Sequence, residues 1–80
     1  MPFENQSYRT LATRDEIEMR LLTVLWNHPL CRDVRLEVLG IPRNERGTNW
    51  TVSLAQVPAY AIFETTDIVA EIQGAYDLAA

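Results

Sequence analysis

Eighty residues, 48% of them hydrophobic, bound this chain to one small domain with enough apolar content for a core. A single cysteine excludes an internal disulfide, and no run approaches the roughly 18 apolar residues of a membrane span. The formal charge of −4 disfavours nucleic acid and anionic lipid unless a local basic patch compensates.

That charge is unevenly spread. Residues 1–30 hold three arginines against four acids, and residues 31–54 hold four arginines against three. Residues 55–80 hold Glu64, Asp67, Glu71 and Asp77 with no base. All seven basic residues are arginine, a pattern that genomic codon bias explains.

Residues 1–12 show no period and are expected to form a flexible N-terminal arm that Phe3 and Tyr8 could pin to the body. They carry neither a basic nor an apolar leader stretch, so no signal peptide is read and a cytoplasmic location is expected. The remaining residues, 13–80, are expected to fold as one small α+β domain.

Thr13-Arg14-Asp15-Glu16 matches a capping box, with Thr13 as the cap and Glu16 reaching back to it. Ile17, Leu21, Val24, Leu25 and His28 then share one stripe, which Leu22 and Trp26 widen. The spacing predicts an amphipathic helix over residues 14–27, stopping before Pro29.

Two period-2 runs follow. Val34, Leu36 and Val38 alternate with Arg35, Glu37 and Leu39, and Trp50, Val52 and Leu54 alternate with Thr51 and Ser53. They predict an antiparallel pair, about 32–39 and 48–55, with one apolar face. The eight residues from Gly40 to Gly47 form its loop and contain Pro42. Residues 57–63 are ambiguous: Tyr60 and Ile62 could alternate as a short third strand, or Pro58 and the alanines could make an irregular connection.

Glu64-Thr65-Thr66-Asp67 reads as a second helix start, capped by Thr65 or Thr66. Ile68, Ile72, Ala75 and Ala79 line a stripe flanked by Val69 and Tyr76, which predicts a helix over 66–78. Gly74 lies inside it and suggests a close approach by a neighbouring element. The expected architecture is α+β: helix–strand–strand–(short strand)–helix, with two helices packed on one face of a small antiparallel sheet.

His28 and Cys31 are the only histidine and the only cysteine. A metal site would need two more ligands, and the pair lacks the context of a catalytic dyad. They read as a helix-end histidine and a small buried cysteine. The acids of both helix starts are explained by the positive end of the helix dipole. Gly40 and Gly47 lack the lysine and the following helix of a phosphate loop. No catalytic constellation, metal site or cofactor is therefore expected.

The order of elements over residues 14–78 is similar to that of double-stranded RNA-binding domains. That resemblance implies lysines at the start of the last helix, gripping phosphate. Glu64-Thr65-Thr66-Asp67 stands there instead and would repel phosphate, so their function is not carried over.

The expected function is a small non-enzymatic protein-interaction module; its two-stranded sheet has open edges, and pairing one of them with a second copy makes a homodimer one option. The partner is then another protein or a second copy, with no membrane. Arg32, Arg35, Arg43, Arg46, Glu64, Asp67 and Glu71 are the candidate interaction residues. The alternative is weak nucleic-acid binding or a regulatory role through Arg43 and Arg46 in the loop and Arg32 and Arg35 below it.

Overall fold

The computed structural model describes residues 9–79. Phe3 and Tyr8 lie outside them. Six regular elements follow in order: β1 (Thr10–Ala12), α1 (Arg14–Trp26), β2 (Arg35–Gly40), β3 (Trp50–Gln56), α2 (Ile62–Ala75) and β4 (Tyr76–Leu78). The α+β mixture matches the expectation from sequence. Its strands form two separate two-stranded sheets, the antiparallel β2–β3 pair and a parallel β1–β4 pair.

The capping box at α1 is formed. Thr13 Oγ1 accepts from the Glu16 amide at 3.2 Å, and Glu16 Oε1 accepts from the Thr13 amide at 2.8 Å. The four-residue spacing of Ile17, Leu21 and Leu25 puts all three on one stripe, and all three are buried. Trp26, expected to widen that stripe, instead stands 60% exposed. It sits at the helix end, where no strand or helix reaches across it.

In the antiparallel pair Leu36 faces Leu54, Val38 faces Val52 and Gly40 faces Trp50. Val34, Val38 and Trp50 join the α1 stripe, Cys31, Ala61, Ile68 and Val69 in one core. Leu54, expected in that core, is 43% exposed.

One open alternative resolves, and two expectations about the second helix need correction. Residues 57–63 contain no third strand: Ala59–Ala61 make a single 3₁₀ turn that feeds directly into α2. This order departs from that of double-stranded RNA-binding domains at the same point. The second helix starts at Ile62, not near Thr66, and its cap residue Ala61 offers no side-chain hydrogen bond. Thr65 is buried instead of capping, with its Oγ1 3.6 Å from Cys31 Sγ, and Thr66 Oγ1 donates to the Ile62 carbonyl. The helix ends at Ala75, where the chain turns extended as β4, so Ala79 lies past it and not on its stripe.

β1 falls inside the expected N-terminal arm. It pairs residue by residue with β4, Thr10 to Tyr76 and Ala12 to Leu78, and the Ala79 amide continues the ladder to the Ala12 carbonyl. Three-residue strands are marginal alone. Side chains from the hairpin hold this pair in place. Asn49 accepts from the Leu78 amide and donates to the Leu78 carbonyl, both at 2.9 Å, as a neighbouring strand would. Trp50 Nε1 donates to the Tyr76 carbonyl at 3.0 Å, and Gln73 Nε2 donates to the Trp50 carbonyl at 2.8 Å. Arg9 donates to the Gln73, Gly47 and Arg46 carbonyls, which places a cation at the negative end of α2.

The loop between β2 and β3 is equally specified. Asn44 Oδ1 accepts from the amides of Arg46 and Thr48, and Gly47 adopts φ 82°, a left-handed conformation that favours glycine. Gly74 behaves differently from its expected role. A Cβ built there would meet nothing within 4 Å, so no neighbour approaches it. Gly74→Ala is therefore expected to stabilise the chain by about 0.5–1 kcal/mol, measured as a higher urea midpoint with an unchanged slope. A lower midpoint would mean that the position needs glycine.

Candidate functional site

The sequence-predicted arginines do not form one patch. Arg43 pairs with Asp77 at 3.1 Å and also donates to the Gly47 carbonyl, so its charge is partly neutralised. Arg32 and Arg35 are exposed on the turn before β2 and at its first residue. Only Arg46 lies beside a cavity of any depth. Of the acids, Glu64 sits half-buried in the first turn of α2, while Asp67 and Glu71 are exposed further along it. His28 Nδ1 accepts from the Leu30 amide, and Cys31 is fully buried. Among the described residues, no three His, Cys, Asp or Glu side chains are placed to hold a metal ion. Among those residues, no helix is long and apolar enough to cross a membrane.

The sheet edges differ from each other. The Val38 amide points away from β3 and donates to Glu18 Oε2 on α1 at 2.9 Å. The carboxylate thereby caps part of the β2 edge. The same bond sets the phase of the ladder. In an antiparallel pair, residues alternate between facing their partner strand and facing away. Val38 faces away, so its partner Val52 also faces away. The Ile41 amide donates to the Asn49 carbonyl, which places the odd-numbered residues of β3 toward β2. The backbone groups of Trp50, Val52 and Leu54 therefore point to the outer edge of β3.

Gln73 occupies the first of these positions through the Trp50 carbonyl. Among the described residues, β3 pairs with β2 alone, and no other backbone group bonds to Val52 or Leu54. Val52 and Leu54 also line a groove of about 280 Å³ between β3 and α2. Val52, Leu54 and Val69 give it apolar walls, Thr66 a hydroxyl, and Arg46 and Gln73 a polar end. Beside that end is a smaller cavity of about 80 Å³, which Arg46 and Arg9 both line. The expectation from sequence pointed to open edges in general. It missed the partly capped β2 edge and the roles of Val52, Leu54 and Val69. The alternation of β3 was the available signal, but its phase shows in the bond from Val38 to Glu18, 20 residues away along the chain.

A second apolar surface lies on the outer side of α1. Met19, Leu22, Thr23 and Trp26 border a shallow hollow of about 170 Å³ there.

No family model, curated protein or solved structure matches this chain.

Proposed function

We propose that this chain is a small, non-enzymatic protein-interaction module that takes up an extended segment of another protein at the outer edge of β3. A cytoplasmic setting belongs to this reading, since the lone thiol suits a reducing compartment. The observation that carries it is the pair of outward-facing residues, Val52 and Leu54, opening into the groove beside α2. An added strand gains main-chain hydrogen bonds from such an edge and side-chain contacts from the groove.

A second copy is the rival occupant. Symmetric antiparallel pairing of β3 about Val52 or Leu54 sets residues 58–62 opposite Arg46, and these contain no carboxylate. Self-pairing thus leaves the arginine without a counter-charge, which favours a different chain. The nucleic-acid alternative is weakened by the Arg43–Asp77 pair, which removes one of its four cations.

Selection from a displayed library of random heptapeptides with free C termini tests the reading. Val52→Pro serves as the counter-variant, because proline removes the outward amide while the bonds to β2 are made by Thr51 and Ser53. Edge capture expects enriched peptides whose binding falls at least about 10-fold on Val52→Pro, the effect of losing one well-placed hydrogen bond and its strand. Equal binding to both proteins would remove the reading.

A further inference from the structure

Resting on that reading, we infer that the captured segment is the C-terminal end of its protein, running antiparallel to β3 with its free carboxylate at Arg46. The groove has a closed end. Gln73 Nε2 holds the Trp50 carbonyl at 2.8 Å, so a strand pairing with Leu54 and Val52 must stop before Trp50. An incoming chain therefore ends at that point or turns away from it.

Charge decides which end of the chain it is. Arg46 lines both the groove and the 80 Å³ cavity that continues it. Arg9 lines the same cavity, with its guanidinium bonded to three neutral carbonyls. The remaining lining residues there include Thr48, Gln73 and Gly74, and none is acidic. Among the described residues the cavity's lining carries two guanidiniums and no carboxylate, which makes this end electropositive although the chain as a whole is acidic. A strand parallel to β3 would bring its ammonium group to this end, against both arginines. An antiparallel strand brings a carboxylate, which the planar guanidinium of Arg46 can take in a bidentate pair.

The groove also constrains the sequence of the segment. Residues of the added strand opposite Val52 and Leu54 project to the same face as those side chains, toward Val69. The segment accordingly carries apolar residues two apart before its terminus.

The test uses the selected heptapeptides, synthesised as free acids and as C-terminal amides, and read by fluorescence anisotropy. The expected result is apolar residues at alternate positions and an affinity loss of about 10-fold or more on amidation, with a similar loss for Arg46→Ala. The Arg46 side chain is exposed and makes no ion pair among the described residues, so this variant keeps the fold. Circular dichroism checks that it does. Binding that is lost on Val52→Pro but survives both amidation and Arg46→Ala overturns the inference and leaves edge capture standing. A selection that enriches nothing overturns both.

Discussion

Trp50→Ala is expected to remove a large share of the chain's stability. Trp50 is the largest fully buried side chain, and truncating a buried tryptophan to alanine costs about 3–5 kcal/mol. A domain of 80 residues has about 4–12 kcal/mol of stability in total. The indole also donates from Nε1 to the Tyr76 carbonyl, so the truncation frees β4 as well as opening a cavity. Urea unfolding followed by circular dichroism measures the loss. Trp50→Phe separates the two contributions, since it keeps most of the ring volume and removes the donor; its cost should be about 1–2 kcal/mol. An alanine variant that unfolds within about 1 kcal/mol of the parent would contradict a core centred on Trp50.

Asn49→Ala is expected to cost about 2 kcal/mol, less than a fully buried pair would, because Leu78 is only half-buried. The substitution removes both bonds from Asn49 to the Leu78 backbone. Those bonds join the hairpin to the parallel pair, so the damage should be local in character. Amides of Leu78 and Ala79 should exchange with solvent much faster, while those of Leu21 and Leu25 in α1 change in proportion to global stability alone. Asn49→Asp retains the acceptor for the Leu78 amide but faces the Leu78 carbonyl with a negative charge, so it should not rescue. A uniform rise in exchange across the chain would show that β4 does not open separately.

These two residues mark where local pattern ends as a guide. The capping box of Thr13 and Glu16 and the spacing of Ile17, Leu21 and Leu25 are set within a few positions, and α1 forms as they imply. The β2–β3 pair was legible for the same reason, through alternation and its glycine-bounded loop. The β1–β4 pair was not. Its strands have three residues each and meet only after almost the whole described chain has intervened. The bonds that hold it run from Asn49, Trp50 and Arg9 to carbonyls and amides 26 to 64 positions away. No periodicity encodes such contacts. The start of α2 was misplaced because Thr65 and Thr66 resemble cap residues, whereas the 3₁₀ turn before them brings the helix in early and buries Thr65 against Cys31.

The proposed binding edge was partly legible. Alternation in β3 announces an edge strand, and Arg46 was singled out with the other arginines. Glu18 takes one amide of the β2 edge, although its position in α1 suggests only a helix-dipole role until Val38 is seen to donate to it. Arg43 and Arg46 also look equivalent in sequence, and Asp77 separates them by neutralising the first.

Amide hydrogen exchange in β3 of the free protein distinguishes an open outer edge from a closed one. Exchange is expected to be slow at Thr51 and Ser53, whose amides face β2, and fast at Val52 and Leu54, whose amides face the outer edge. Val38 on β2 should be slowed by its bond to Glu18, and should quicken in Glu18→Ala. Protection of Val52 and Leu54 equal to that of Thr51 and Ser53 would mean that this edge is already closed, and would contradict a free strand-binding edge on β3.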